Sequence, residues 1–312
     1  MVPPLIVALA GGVGAARFLE GLIRVAPERN ITIIGNVGDD TEFYGLHVSP
    51  DLDIVAYTLA GLVDPDKGWG FRGDTFQCQK LLQRYGYETW FNIGDRDLAT
   101  HLYRTEQLRR GKKLSEVTAS IVSSLGLHVT LLPVSDDSFQ TYVLTKQGRM
   151  HFQEYMVKRR TKPKVSQVIF KGAVSAKPAP HVTESIAKAR GVIICPSNPV
   201  VSIGAVLAVS GIRSVLKKTK ARVVGVSPIV GGKTVKGPAD KLMKGLGVEP
   251  SAVGVANYYK DFLDTLVIDR VDAKLAPRIR ALGIKAVVAQ TLMTTMADKI
   301  HLARIAVREF KR

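Results

Sequence analysis

Short apolar runs of strand length alternate with stretches of helical periodicity along most of the chain, the signature of βαβ units and a parallel sheet. Leu5 to Ala10 reads as a buried first strand, and Ala15 to Val25 as a helix with Phe18, Leu19, Leu22 and Ile23 on one face. Ile31 to Ile34 gives the second strand. Val129–Leu132, Gly191–Cys195, Arg222–Val226, Thr265–Ile268 and Lys285–Val288 supply later strands, and Ala297 to Phe310 the closing helix. From about residue 68 to 125 the pattern turns helical and aromatic-rich, with strand rhythm only near Trp90 to Ile93, which predicts a helical insertion or cap. The whole length, 1–312, reads as a single α/β domain.

Composition narrows this picture. A 46% hydrophobic share with 23% charged residues excludes wholesale disorder. The best apolar run, Val192 to Val209, is broken by Pro196, Asn198 and Pro199, so no membrane span is expected. Met1-Val2-Pro3-Pro4 carries no basic segment and no cleavage site of a leader, and Cys78 and Cys195 have neither disulfide-framework nor metal-ligand spacing. The expected address is the cytoplasm. A net charge of +17 asks for an anionic partner without choosing one. Its distribution is more informative: eleven acids stand against five bases between Asn36 and Asp97, so one acidic island sits in a basic protein. The most basic segment, 158–177, has seven Lys and Arg and no acid.

Three loops carry the candidate chemistry. The first strand runs into Gly11-Gly12-Val13-Gly14-Ala15-Ala16-Arg17, where glycines let the backbone approach a ligand and aim N–H groups at an anion. Arg17 stands where a dinucleotide fingerprint needs its third glycine, and Asn36 stands where that fingerprint needs an acid after the second strand, so an NAD(P) oxidoreductase is disfavoured. Tight strand-to-helix packing explains the glycines equally well; Arg17 favours phosphate. Gly231-Gly232-Lys233-Thr234 imitates the end of a P-loop but has Ser227 at the position of its first glycine, leaving Lys233 as a basic loop residue that can touch phosphate or solvent.

Within the island, Asn36-Val37-Gly38-Asp39-Asp40 follows the second strand, and Ser49-Pro50-Asp51-Leu52-Asp53 opens a helix. Carboxylates near a phosphate-binding loop suit Mg²⁺, which bridges one or two acids to substrate phosphates. Asp51 reads as a helix cap. Asp53, in an otherwise apolar helix, is the stronger candidate, with Asp39 and Asp40 beside it. Gly94-Asp95-Arg96-Asp97 reads as a surface ion pair and cap ahead of a helix with His101 and Arg104. Ser197 and Asn198, between Pro196 and Pro199 at the end of a buried strand, are placed to read a base or ribose edge.

Taken in order, these motifs resemble the 2-phospho-L-lactate transferase family of coenzyme F420 biosynthesis. The likeness runs through Gly11–Arg17, Ser49–Asp53, Asp74-Thr75-Phe76, Gly94–Asp97, Pro133–Asp137, Pro196–Pro199, Val226–Ile229, Gly237-Pro238-Ala239 and Tyr258–Asp264. It implies a Rossmann-like three-layer α/β sandwich with a mainly parallel sheet. It also implies a Mg²⁺-dependent phosphotransferase for substituted phosphate groups. A phospholactyl or phosphoenolpyruvyl group moves from a guanosine diphosphate ester to the ribityl hydroxyl of a deazaflavin, with release of GMP. The resemblance places Asp53 near deazaflavin and metal, and Asn92 where the family has a basic deazaflavin contact. On this reading Gly11, Gly12, Gly14 and Arg17 hold the diphosphate, Asn36, Ser197, Asn198 and Lys233 line the substrate site, and Asp53 takes the hydroxyl proton. Asp53→Asn is then expected to abolish turnover and leave the fold intact. A cytoplasmic homodimer that binds neither nucleic acid nor membrane completes the expectation. The competing classes are a non-catalytic nucleotide-sugar-binding regulator of similar fold, whose Asp-Asp-Gly-Gly-Ser-Ser-Gly is matched only at Asp39-Asp40, and a nucleic-acid binder, suggested by charge alone.

Overall fold

The apolar runs form one seven-stranded, all-parallel sheet: β1 (Ile6–Ala10), β2 (Ile31–Gly35), β3 (Thr130–Pro133), β4 (Gly191–Ile194), β5 (Arg222–Val226), β6 (Thr265–Asp269) and β7 (Lys285–Ala289). A computed structural model describes residues 5–311 of the chain; the opening Met1–Pro4, read above for the absence of a leader, lies outside the described residues. Strands β1, β2 and β4 are buried along their whole length, which is why they read as continuous apolar runs rather than alternations.

Across the sheet the order is β3-β2-β1-β4-β5-β6-β7, the doubly wound arrangement with its reversal between β1 and β4. Register sets the C-terminal ends of three strands side by side: Ala10 pairs with Gly35 and Leu9 with Ile194. The chains that leave them continue the ladder for one bond each, Asn36 N–H donating to the Ala10 carbonyl and Cys195 N–H to that of Leu9. The Gly11, Asn36 and Pro196 loops therefore leave the sheet together.

Helix α1 (Gly12–Leu22) begins at the glycine loop itself and packs against α2 (Pro50–Leu59) and the closing helix Met296–Arg308. Between residues 68 and 125 lie α3 (Gln77–Arg84), α4 (Asp97–Arg109) and α5 (Leu114–Ser124), and the Trp90–Ile93 stretch is irregular rather than a strand. Of these, α5 packs on β3 and so belongs to the crossover into the sheet, while α4 packs on a small hairpin, Thr41–Phe43 with Leu46–Val48. Periodicity missed a three-stranded antiparallel sheet, Gln140–Thr145, Gly148–His151 and Val165–Lys171, which takes up part of the basic segment. Lys158, at the head of that segment, pairs with Glu88 at 2.6 Å, and Arg159 with Glu154 at 3.1 Å.

Candidate active site

The glycine loop is shaped by close approach as well as by conformation. Gly12 has φ +73°, a left-handed value that a side chain disfavours, and a Cβ at Gly14 would stand 2.3 Å from the Pro196 carbonyl oxygen. The two loops are stitched together where Gly11 N–H donates to Ser197 Oγ at 3.2 Å. Asn198 spends its side-chain oxygen on its own turn, accepting from the N–H groups of Val200 (3.0 Å) and Val201 (3.3 Å).

Against this loop lies a buried carboxylate group. Asp39, Asp40 and Asp51 are 3%, 8% and 7% exposed, and a Cβ on Gly11 would meet Asp51 Oδ2 at 2.8 Å. Asp51 does not cap its own helix: Asn36 Nδ2 donates to its Oδ2 at 2.8 Å, while Asn36 Oδ1 accepts from Gly38 N–H at 2.8 Å. Fully buried Asn36 thus organises the turn that brings Asp39 toward Asp51. Asp40 is held by Ser49 Oγ (2.7 Å) and His47 Nε2 (3.0 Å). Asp39 Oδ1 and Asp40 Oδ1 are buried without a hydrogen-bond partner. Burial, then the charge of Asp51, pushes Asp39 well above the usual carboxylate range; burial raises Asp40, and burial raises Asp51 to about 6. Buried acids of one sign with open oxygens are a receptor for positive charge.

Two residues along α2, Asp53 faces a different neighbour. Arg104 of α4 takes both of its oxygens, Nη1 donating to Oδ2 at 3.0 Å and Nη2 to Oδ1. Arg104 is 1% exposed; burial works against its cation, and the charge of Asp53 more than offsets it. His101 Nδ1 lies 3.3 Å from Arg104 Nη1, and its Nε2 3.2 Å from Asp97 Oδ2, while Tyr57 donates to Asp97 Oδ1 at 2.8 Å. The Asp-Arg-Asp segment is therefore divided in function: Asp97 joins this buried network, and Asp95 caps α3 by accepting from Gln77 N–H (2.8 Å) and Cys78 N–H (3.0 Å). Arg104 and His101 are residues to which the sequence pattern assigned no role. Their spacing from Asp97, four and seven positions, put all three on one face of α4 and was the available signal.

The other expected site residues are spread more widely. Arg17 is exposed on α1, one turn beyond Val13. Lys233 is exposed in the hairpin Ile229–Val230/Lys233–Thr234, paired with Val230. Asn92 lines a hollow of about 220 Å³ with Phe76, Gln79, Lys80, Gln83 and Thr89, none of them from the carboxylate group. Among the described residues no three His, Cys, Asp or Glu side chains form a prebuilt metal centre, and no helix is long and apolar enough to cross a membrane. Asp39 and Asp51 do fit Mg²⁺ in its usual manner, one or two carboxylates completed by substrate phosphates and water. Asp53 has both oxygens engaged by Arg104, so an ion there would compete with the guanidinium.

Residues 6–301 match the family model described as 2-phospho-L-lactate transferase CofD. The chain is 45% identical over 307 residues to a phosphoenolpyruvate transferase of Streptomyces griseus, covering 96% of each chain. It is 40% identical over 301 residues to a 2-phospho-L-lactate transferase of Methanosarcina mazei, covering 96% of this chain and 99% of that one. Among solved structures, the fold resembles that of protein BH3568 from Bacillus halodurans, with a TM-score of 0.67 at 18% identity over 97% and 99% of the two chains.

Proposed function

The chain belongs to the CofD family of 2-phospho-L-lactate transferases, which serves coenzyme F420 biosynthesis, and from that premise we propose the reaction in detail. The enzyme moves a phospholactyl or phosphoenolpyruvyl group from a guanosine diphosphate ester to the ribityl hydroxyl of 7,8-didemethyl-8-hydroxy-5-deazariboflavin and releases GMP. The observation that carries this reading is the close approach of the glycine loop to a buried carboxylate group, Asp51 against Gly11. A loop that admits a diphosphate stands directly beside acids that need a cation.

On this proposal Asp39 and Asp51 would hold Mg²⁺, which when bound would supply positive charge to offset that of the diphosphate. The start of α1 presents its N–H groups to the same diphosphate. The hydroxyl oxygen forms a bond to the phosphorus that bears the three-carbon acid, and the bond from that phosphorus to the GMP oxygen breaks. The hydroxyl proton passes to Asp40, whose Oδ1 is open and whose basicity burial raises. Asp53 acts by position: its pairing with Arg104 fixes the first turn of α2, and with it Asp51. Ser197 keeps the nucleotide-side loop closed on Gly11. Lys80 shares the hollow with Asn92 and supplies the cation that position 92 lacks for the deazaflavin ring edge. The family resemblance also supports a cytoplasmic homodimer.

Incubation of the protein with the deazaflavin, Mg²⁺ and each candidate ester, followed by detection of GMP and the product mass, tests the reaction. The 45% identity to a phosphoenolpyruvate transferase, against 40% to a 2-phospho-L-lactate transferase, is the reason to try the phosphoenolpyruvyl ester first. No product from any donor would refute the assignment.

The carboxylate group also makes a pH prediction. The folded-state pKa of Asp51, about 6, lies above its ordinary 3.8, so the metal-free fold binds this proton more tightly than the unfolded chain. The stability linked to it is present below pH 3.8 and is lost as pH rises through about 6. A cation that displaces the proton reverses the loss. The melting temperature in chelator is therefore expected to fall between pH 4.5 and 7, and the upward shift caused by millimolar Mg²⁺ to grow across the same interval. A Mg²⁺ shift that is equal at both ends, by scanning calorimetry, would remove Asp51 from the ion's site.

A further inference from the structure

The loop after β5 brings a second lysine, Lys236, to the beginning of α1. Its hairpin is anchored at both ends, by Gly231 N–H on Asp272 Oδ2 (3.0 Å) and by Asp240 N–H on Thr234 Oγ1 (2.8 Å). From that base Lys236 Nζ reaches the Lys67 carbonyl at 3.3 Å. A Cβ placed on Gly68 would stand 2.8 Å from Lys236 Nζ and 3.9 Å from Val13 Cγ1, so the ammonium lies beside the first turn of α1. Arg17 is one turn along the same face, and after burial its charge is what lowers the proton affinity of Lys236. Among the described residues neither cation has a carboxylate within ion-pair distance, whereas the buried Arg104 is paired with Asp53 and Lys299 with Glu20. Two like charges held together without a counter-ion are unfavourable in the protein alone and become favourable when an anion lies between them. Lys233, three residues earlier, pairs with Val230 in the hairpin and is exposed.

We propose that Lys236 and Arg17 together grip the phosphate that is transferred, with Lys236 exchanging the Lys67 carbonyl for a phosphate oxygen. This rests on the donor assigned above and deepens it. The gripped phosphate is the one that GMP lacks, so the pair distinguishes substrate from nucleotide product: the donor is held by both cations, and GMP leaves because neither reaches it.

Equilibrium binding of GDP, GMP and inorganic pyrophosphate in the presence of Mg²⁺ tests this, on wild type, Lys236→Met, Lys236→Arg, Arg17→Met, Lys233→Met and Lys218→Met. The last removes one charge from an exposed helix elsewhere. Charge-assisted bonds of this kind predict that Lys236→Met weakens GDP and pyrophosphate by roughly tenfold to a hundredfold. GMP is expected to change by less than about twofold, the arginine variant to recover most of the loss, and Lys218→Met to match wild type. Arg17→Met should lose as Lys236→Met does, and a melting temperature no lower than that of wild type for both shows that the fold is retained. Undiminished GDP and pyrophosphate binding in Lys236→Met overturns the proposal, as does an equal loss for GMP or a larger effect at Lys233. Pyrophosphate binding that depends on Lys236, with no tighter binding of GDP, leaves the phosphate grip standing and removes the guanosine donor instead. A wild type that binds neither GDP nor pyrophosphate overturns the grip itself.

Discussion

Asp53→Asn is expected to lower the unfolding free energy by about 3–5 kcal/mol, measured by urea denaturation at pH 7, and to take activity down with it. The cost comes from Arg104 rather than from the lost carboxylate. Arg104 is 1% exposed, its Nε is already without a partner, and both of its terminal nitrogens donate to Asp53. An amide leaves that guanidinium as a buried charge without its principal counter-ion. The chemistry-only expectation of an inactive but intact Asp53→Asn enzyme is thus replaced by that of a destabilised one. A double substitution separates the two. Asp53→Leu with Arg104→Met removes both charges and fills the space with apolar atoms, and is expected to recover much of the stability lost by either single change. Asp53→Asn within about 1 kcal/mol of wild type would show that the pair contributes little and that Asp53 has some other role.

The difference between what the sequence disclosed and what it withheld lies in how much of the signal is local. Strands such as Ile6–Ala10 and Arg222–Val226 are legible because burial on both faces leaves an unbroken apolar run between turn residues. The sheet Gln140–Lys171 is not. Its central strand does alternate, with Thr141, Val143 and Thr145 inward, but two of those three are threonines and the outward set includes Tyr142 and Leu144, so the contrast between faces nearly vanishes. The hairpin Thr41–Val48 has three-residue strands and turns through Tyr44 at φ +56°, a value that its residue type does not announce. At the site, the motif Asp51-Leu52-Asp53 was evident, whereas the division of labour within it was not. Residues two apart on a helix point about 200° away from each other, so one must face the glycine loop and the other α4. Which does which depends on the rotation of α2 against α1, a tertiary fact. The same holds for Lys233 and Lys236: their loop is visible as glycine-rich and basic, but only the packing of Gly68 against Val13 shows which ammonium reaches α1.

Asp51→Asn is expected to do the opposite of Asp53→Asn on stability and more on catalysis. Asparagine has nearly the same shape and can still accept from Asn36 Nδ2 through its own oxygen, so the turn around Gly11 should persist. What disappears is a buried negative charge raised to a pKa of about 6 and repelling Asp39. Above pH 6 that removes a penalty of up to about 3 kcal/mol, and the metal-free variant should melt higher than wild type at pH 8 while matching it at pH 4. Activity should fall at least about a thousandfold, because the variant loses a charged ligand to the ion that offsets the transferred phosphate, and several kcal/mol of transition-state stabilisation with it. Higher stability with lost turnover identifies a charge kept for function rather than for folding. Retention of activity within about tenfold, or a metal-free variant no more stable than wild type at pH 8, would move the ion's ligand away from Asp51 and return the search to Asp39 and Asp40.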